Sequence, residues 1–258
     1  MSTSLHLLRS FLARDLASRY RGSALSWAWY ILNPLFMLSV FTLVFSSIFG
    51  MRWGSAGGNQ VLFAFNVFAG LIVNNFFAET WQRAAQSVLG QPSLVKKVSF
   101  PLYLLPMVMS LSALAHFSFG LMVLLIGMLL TSQQFDFYPL QAMLAIPPMF
   151  IFSMGIAWIL AALTVYLRDL VQILGLLLSA MLFLSPVFYP MSQVPDKLQS
   201  YLLLNPISIP AESIRAAFMG GPQPPSEWLV GYWLSAILVF IFGRWLFYFL
   251  ARGFADVL

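Results

Sequence analysis

The sequence has no cysteine and very little charge. Cysteine is absent from all 258 residues, and charged side chains make up only 8% of them. Without cysteine the chain has no disulfide, no thiolate metal site and no cysteine nucleophile. Soluble domains carry roughly 25% charged residues. A soluble fold would leave much of this 60% hydrophobic chain against water, so the composition predicts a membrane protein.

The motifs of nucleotide and peptide hydrolysis are also missing. No Gly-Lys pair occurs, so the chain lacks the phosphate-binding loop GxxxxGK[ST], and neither HExxH nor GxSxG is present. The two histidines, His6 and His116, are too few for a typical metal site. The 13 basic residues are scattered and form no stripe, which argues against nucleic-acid binding. We expect no catalytic residue, metal or cofactor in this chain.

Long charge-free runs predict membrane-spanning helices. About 20 residues cross the roughly 30 Å hydrocarbon layer, and backbone groups in lipid must be satisfied within the segment. We therefore predict an all-α polytopic membrane protein with a single transmembrane domain, residues 1–258. Its six predicted spans lie near 29–49, 60–78, 104–130, 142–165, 170–189 and 229–250.

Lysine and arginine predict the orientation, because they are enriched in cytoplasmic segments. With both termini in the cytoplasm, 10 of the 13 basic residues fall inside. Arg9 and Arg14 interrupt the first apolar stretch, so we expect this segment to be retained rather than cleaved as a secretory signal. The inner basic residues are Arg9, Arg14, Arg19, Arg21, Arg83, Lys96, Lys97, Arg168, Arg244 and Arg252.

Residues 4–21 have the pattern of an amphipathic helix. Leucines recur at helical spacing, while Asp15 interrupts the apolar stripe in its last turn. This pattern favours a helix lying in the inner membrane interface, with Arg14, Arg19 and Arg21 facing lipid phosphates. The alternative is a charged cytoplasmic tail.

Two segments between the predicted spans are candidates for functional roles. Residues 80–97 form the longest predicted cytoplasmic loop between spans and are the best docking surface for a partner; the alternative is a simple connector. Within this loop residues 80–89 suit a helix, which Gly90 and Pro92 break. Residues 186–228 are rich in proline but too apolar for an ordinary loop, which favours short re-entrant helices that gate the outer face. The alternative is a loop packed on that surface. The outer-gate candidates are Pro186, Tyr189, Pro190, Asn205 and Pro206.

His116 and the aromatic side chains of the predicted spans each allow a structural and a functional interpretation. His116 is the only titratable residue well inside a predicted span; it is either a packing hydrogen bond or a proton relay. The aromatic residues either form an interfacial belt or line a path for sugars. The candidates for such a path are Trp27, Trp29, Tyr30, Phe36, Phe183 and Tyr189.

Several stretches resemble a known family. RDLASRYRGSALSWAWYILNPLFML at 14–38 and YLRDLVQILGLLLSAMLFLSPVFYPMSQVP at 166–195 are similar to ABC-2 type permeases that export polysaccharides. LVKKVSFPLYLLP at 94–106 and the Asn-Pro pair at 205–206 fit the same family. The resemblance covers essentially the whole chain and includes the O-antigen, teichoic acid and capsule exporters.

The resemblance implies partners and roles. Such permeases are homodimers that bind two copies of a separate ATP-binding subunit, which holds ATP and Mg²⁺. Residues 4–21 would pack on that subunit, and the loop at 80–97 would act as the coupling helix. A lipid-linked glycan would pass between the two permeases in the cytoplasmic membrane. The implied coupling residues are Arg83, Gln86, Leu89, Lys96 and Lys97.

The leading hypothesis from these observations is export of an O-antigen-like lipid-linked polysaccharide. Capsular polysaccharide or teichoic acid is the nearest alternative, followed by a small drug or a lipid. A membrane-embedded transferase would need convergent acidic or histidine residues at one face, and the outer acidic residues show no such spacing. A secondary carrier is disfavoured by spans that are nearly free of charge.

Overall fold

The computed structural model describes residues 2–18, 28–44, 60–96, 100–131, 139–220 and 223–258, and contains no strand within them. These segments fold into helices joined by short turns. The helices are α1 (Ser2–Ser18), α2 (Trp29–Phe41), α3 (Gln60–Ser87), α4 (Pro92–Val95), α5 (Leu104–Leu130), α6 (Pro139–Tyr166), α7 (Leu170–Phe183), α8 (Asp196–Leu202), α9 (Ser208–Met219), α10 (Ser226–Ala251) and α11 (Phe254–Val257), with a 3₁₀ turn at Met191–Gln193.

Four of these helices are long and apolar enough to cross a membrane: α3, α5, α6 and α10. Helices α2 and α7 are apolar but shorter. The 14 residues of α7 span about 21 Å at 1.5 Å per residue. The predicted class, an all-α polytopic membrane protein, is confirmed, while the total of six spans stays a prediction.

The helix bounds differ from the predicted spans at two informative places. Helix α3 continues without a break to Ser87, so the helix predicted at 80–89 is joined to the second predicted span instead of standing apart in a loop. Helix α7 ends at Phe183, well before residue 189. After it, the chain turns and forms the short helices α8 and α9 within the 186–228 segment.

Helix α3 is the centre of the body. It packs against α2, α5, α6, α7 and α9. Its aromatic side chains fill the core; the rings of Phe76 and Phe77 lie 5.5 Å apart, and Phe76 also lies 5.7 Å from Phe117 of α5. Because a lipid-facing helix would expose such residues, the burial of α3 identifies it as the axis around which the other helices are arranged.

Helices α6 and α10 approach each other very closely. A Cβ atom at Gly243 would overlap the carbonyl oxygen of Gly155, and one at Gly155 would lie 2.6 Å from the carbonyl oxygen of Val239. In lipid, helix association depends on close packing, so small residues at the contact allow the two backbones to meet. The glycine pair therefore fixes where α10 crosses α6.

One end of the body is formed by α1, α4, α11 and the last turns of α3, and we call it the inner end. The outer end is the opposite end, formed by α8 and α9. At the inner end a second core cluster joins the turn after α3 to α6, α10 and α11 through Val88, Trp158, Phe247 and Phe254. The tyrosine hydroxyl of Tyr166 donates to the carbonyl oxygen of Leu250 at 2.8 Å.

Candidate functional site

A chain of ionic contacts connects three helices at the inner end. We call this set, Asp15, Glu79, Arg83, Ser112 and His116, the inner network. Arg83 Nη2 lies 2.6 Å from Asp15 Oδ1, which joins α3 to α1. Arg83 Nη1 lies 3.5 Å from Glu79 Oε1 and donates to Ser112 Oγ at 3.3 Å. His116 Nδ1 lies 2.8 Å from Glu79 Oε2, so α5 is held at two points.

The inner network makes α1 part of the body. Beside the Arg83 contact, the buried Tyr30 hydroxyl of α2 donates to the carbonyl oxygen of Leu16 at 2.7 Å. Phe11 packs against Phe100, with ring centroids 5.3 Å apart. Helix α1 thus rests on α5 and on the chain that enters it, with Leu5 half exposed.

The residues proposed to couple to a partner fall into two groups. Arg83 is turned inward and engaged by Asp15 and Glu79. Gln86 and Lys96 are exposed, and Leu89 is half-buried in the turn between α3 and α4. Lys97 lies outside the described residues. Gln86 and Lys96 therefore lie at the surface, whereas Arg83 lies behind them, and the contact of this segment with a partner stays a prediction.

Among the interfacial arginines, Arg14 is described and exposed, with its guanidinium carbon 4.4 Å from the centre of the Phe11 ring. This position lets the charge remain at the surface while the stem covers an aromatic face. Arg19, Arg21 and the aromatic candidate Trp27 lie outside the described residues.

The remaining aromatic candidates do not share one surface. Tyr30 is buried, and Trp29 is half-buried. By contrast, Phe36 of α2 is 71% exposed and Phe183 at the end of α7 is 68% exposed. Tyr189 is half-buried beside the end of α7, and its hydroxyl lies 3.4 Å from the carbonyl oxygen of Phe183. Only Phe36 and Phe183 of this set present most of their rings outward.

A cavity of about 430 Å³ lies between α2, α3 and α5. Its walls are mostly apolar, and Phe36 is among them. The polar residues of its lining are Asn33, Asn75, Glu79 and His116. The cavity therefore borders the inner network at Glu79 and His116, the pair that joins α3 to α5.

A single buried arginine organises the outer end. Arg215 of α9 is only 4% exposed. Its Nε donates to the carbonyl oxygen of Asn66 at 2.9 Å and its Nη2 to that of Val187 at 2.7 Å. Its Nη1 donates to the carbonyl oxygen of Pro186 and lies 2.8 Å from Glu212 Oε1. We call these contacts the outer clamp; they join α9, α3 and the turn after α7.

The outer clamp keeps its charge. Burial lowers the pKa of Arg215, and the Glu212 carboxylate beside it opposes part of this shift. Arginine side chains stay protonated in proteins. Space for it is provided by Gly70 of α3, because a Cβ atom there would lie 2.8 Å from Arg215 Nη2. A buried charge needs partners, and here backbone carbonyls supply most of them.

Asn205 caps the end of α7 beside the outer clamp. Its Nδ2 donates to the carbonyl oxygen of Met181 at 2.9 Å and to that of Leu184 at 3.2 Å. Its Oδ1 accepts from the backbone N–H of Ile207 at 3.1 Å. The carbonyl oxygen of Pro206 accepts from the hydroxyl of Tyr232 at 3.1 Å. The Asn-Pro pair thus joins α7, the start of α9 and α10.

The predicted outer-gate residues lie close to one another in this region. Pro186 and Pro190 are buried, and Asn205 and Pro206 are half-buried. A cavity of about 450 Å³ opens beside them, between α3, α8, α9 and the start of α10. Pro190, Glu212 and Arg215 are part of its lining. Whether this region opens and closes stays a prediction.

The partners that complete both arrangements were not predicted from the sequence. Asp15 was noted only as an interruption of an apolar stripe, and Arg215 was given no role. Two signals were available in the sequence. A carboxylate in the apolar stripe of α1 requires a cation, and Glu212 with Arg215 at helical spacing in an apolar segment indicates a buried pair.

Comparison with known proteins assigns the chain to a family. The model of the ABC-2 type transporter family matches residues 6–219. The O-antigen export system permease protein RfbA of Myxococcus xanthus is 31% identical over 235 residues, which covers 90% of this chain and 87% of the relative. An RfbA protein of Klebsiella pneumoniae is 24% identical over 250 residues, covering 95% and 92%. The capsule polysaccharide export inner-membrane protein CtrC of Neisseria meningitidis serogroup B is 24% identical over 218 residues, covering 83% and 79%. Since the family match spans most of the sequence, this chain belongs to the ABC-2 type transporter family of membrane proteins.

Proposed function

We propose that this chain is the membrane-spanning permease of an exporter that moves a lipid-linked, O-antigen-like polysaccharide across the cytoplasmic membrane. The observation that carries this proposal is the 31% identity to an O-antigen export permease over 90% of the chain. Two copies of the chain act with two copies of a separate ATP-binding subunit. That subunit holds ATP and Mg²⁺, since the sequence here has no phosphate-binding loop.

Both termini lie in the cytoplasm in this proposal. The positive-inside rule supports this orientation, because it places 10 of the 13 basic residues on one side. The exposed Gln86 and Lys96 then face the ATP-binding subunit. A push on this turn travels along α3, which runs unbroken from Ser87 to Gln60 and packs against α2, α5, α6, α7 and α9.

The inner network supports a role for α1 in the same movement. Because Arg83 binds Asp15, a shift of the last turns of α3 pulls on α1 as well. The Glu79–His116 contact carries the shift to α5. Arg83 is therefore a positioning residue that transmits movement, and the exposed side chains beyond it make the contact with the partner.

The glycan path lies between the two copies. Helices α2 and α7 expose large apolar side chains, including Phe36 and Phe183, and these faces are where a second copy and a sugar chain meet the protein. Aromatic faces suit the apolar sides of sugar rings and also lipid tails. Arg19 and Arg21 attract the phosphates of the lipid carrier, because guanidinium groups bind phosphate oxygens well. Replacing both with alanine reduces export at normal protein levels; unchanged export excludes this recruitment role.

A capsular polysaccharide is the second candidate substrate. The capsule export relative of Neisseria meningitidis favours it, although its match covers less of the chain than the O-antigen relatives do. Deleting the chain and analysing the cell surface separates the two. Loss of the O-antigen with accumulation of its lipid-linked form inside supports the first candidate, whereas loss of capsule alone supports the second.

Co-purification tests the transporter assignment itself. The tagged chain is extracted gently from native membranes, its partners are identified and ATP hydrolysis is assayed. We expect a stoichiometric partner that carries a phosphate-binding loop, together with measurable ATPase activity. A chain that purifies alone even after crosslinking in the membrane, without ATPase activity, contradicts the proposal.

A further inference from the structure

The outward face of α10 carries charge where lipid is expected. Helix α10 packs on α6 through one face, which includes the buried Tyr232, Ala236, Gly243 and Phe247. Its other face is exposed along the last turns, and a groove of about 430 Å³ runs over it. The groove is lined by Phe240, Ile241, Arg244, Trp245, Tyr248, Phe249 and Arg252.

The spacing puts two arginines in a row on this face. Arg244, Tyr248 and Arg252 follow one another at four-residue steps, so they stack along one side of the helix. The guanidinium carbon of Arg244 lies 5.7 Å from the centre of the Tyr248 ring. Beside this row, Trp245 stacks on Phe249 with ring centroids 5.7 Å apart and an angle of 15° between the ring planes.

Neither arginine forms an ion pair with another described residue. The ion pairs within the described part of the chain involve Arg83, His116 and Arg215, and include neither Arg244 nor Arg252. Both side chains are exposed, as are Trp245 and Phe249. An unpaired cation on an otherwise apolar, membrane-facing helix surface needs an anion that the surroundings supply.

The depth of this face indicates which anion is at hand. Residues 228–243 of α10 are free of charge and span about 24 Å, so Arg244 lies near the edge of the hydrocarbon layer. Arg252 lies two turns further, at the level of the headgroups, and ends the helix where a cation also meets the negative end of the helix dipole. Phosphate oxygens of lipid headgroups occupy this depth.

We propose that Arg244, Tyr248 and Arg252 bind the headgroup of an anionic phospholipid, whose acyl chain lies along Trp245 and Phe249. The two guanidinium groups bind the phosphate oxygens, and the tyrosine hydroxyl donates a further hydrogen bond. The flat aromatic pair provides the apolar surface for the chain. This site is separate from the proposed glycan path, because α10 packs on α6 and α9 rather than on α2 or α7.

Quenching of Trp245 by brominated lipids tests the proposal. The complex of the chain with its co-purified partners is placed in bilayers of brominated phosphatidylcholine or brominated phosphatidylglycerol, which contain no glycan carrier. Subtracting the signal of the Trp245→Phe variant isolates Trp245 from the other tryptophans. We expect phosphatidylglycerol to be preferred by about fivefold for each arginine, and the preference to fall with added salt.

Variants locate the preference. Arg244→Gln combined with Arg252→Gln brings the two lipids to equal quenching, and each single variant lies between. Arg168→Gln, which changes an exposed arginine in the turn between α6 and α7, leaves the preference unchanged.

Three results overturn the proposal. The first is equal quenching by both lipids in the unaltered protein, which needs no variant to fold. The second is a preference that survives the double variant. The third is the absence of Trp245 quenching by either lipid in the complex, which would mean that protein covers this face. None of these results bears on ATP hydrolysis or glycan export, so the proposed function is tested independently.

Discussion

The inner and outer ends of the body are both held by arginine, but with different partners. At the inner end Arg83 is 28% exposed and binds side chains of α1, α3 and α5. At the outer end the Arg215 side chain is only 5% exposed and binds three backbone carbonyl oxygens besides Glu212. Side-chain partners can exchange when helices shift, whereas backbone carbonyls move only with the fold. We infer that the contacts of the inner network can change when helices move, whereas the outer clamp is fixed.

One detail of the inner network agrees with this difference. Asp15 Oδ2 is buried and has no hydrogen-bond partner within the described part of the chain, although Oδ1 binds Arg83. A buried acceptor left open is costly in a fixed structure. The inner network therefore leaves one acceptor of Asp15 unsatisfied within the described residues, whereas Arg215 has partners at each of its three nitrogens.

The largest loss of stability is expected from breaking the outer clamp. Arg215→Met leaves three carbonyl oxygens and Glu212 without their donor, and breaking a buried ion pair in this way costs about 3–5 kcal/mol. We expect poor yield and a strongly lowered midpoint of thermal unfolding in detergent. Arg168→Met, at an exposed site, serves as the control. Equal midpoints for both variants contradict a structural role for the outer clamp.

A smaller loss of stability is expected from crowding the outer clamp. The Cβ atom of Gly70→Ala would lie 2.8 Å from Arg215 Nη2 and 3.1 Å from the Cα atom of Val187. Overpacking of this kind costs about 1–3 kcal/mol, measurable as a lower unfolding midpoint. Gly231→Ala is the matched control, because a Cβ atom there meets nothing within 4 Å. A Gly70→Ala variant as stable as this control shows that the clamp tolerates displacement.

Removing Asn205, which caps α7 beside the outer clamp, tests whether the rigidity of the outer end depends on this residue as well. Asn205→Ala loses the hydrogen bonds to Met181, Leu184 and Ile207. We expect a loss of about 1–2 kcal/mol, since each bond contributes modestly in net terms. The exposed Ser192→Ala is the control. If Asn205→Ala also abolishes export while the protein remains folded, the fixed character of the outer end is disproved.

The smallest effect on stability, with a clear effect on activity, is expected at the inner end. Partly exposed ion pairs contribute roughly 0–1 kcal/mol, so Arg83→Gln and Asp15→Asn should unfold almost like the unaltered protein. Both should lower export at equal protein levels, and the double variant should be no worse than either single one, because the two residues act through one contact. The exposed Arg9→Gln on the same helix is the control. Additive losses show that the two residues act separately.

Much of the architecture could be predicted from the sequence because membrane spans depend on local composition. Helix α5 covers the predicted 104–130, since an uninterrupted apolar run has one stable conformation in lipid. The helix that the pattern predicts at 80–89 is present, but its continuity with the second span was not predicted. Charge enters the chain at Glu79 and was interpreted as the end of the span, whereas one helix runs from Gln60 to Ser87, with Glu79 and Arg83 in contact with His116 and Asp15 of other helices.

The candidate site was predicted less completely than the fold. Arg83 was chosen as a contact for a partner, whereas the structure turns it toward Asp15, which is 68 residues away in the chain. His116 contacts Glu79 of a different helix, a partner that its own span does not indicate, and the choice between a packing contact and a proton relay stays open. Such pairings depend on how helices rotate about their axes, and the hydrophobic pattern of each helix constrains that rotation only weakly.

The sequence by itself determined the solvent and the helical class, because both depend on the local balance of apolar and charged residues. Only the tertiary structure decided which charges are neutralised and which face outward. Arg215 and Arg244 are both arginines in apolar surroundings, yet one is buried in the outer clamp and the other is exposed on α10. The cost of a buried charge is offset only by donors and acceptors that meet in space, and their meeting is a property of the packed helices.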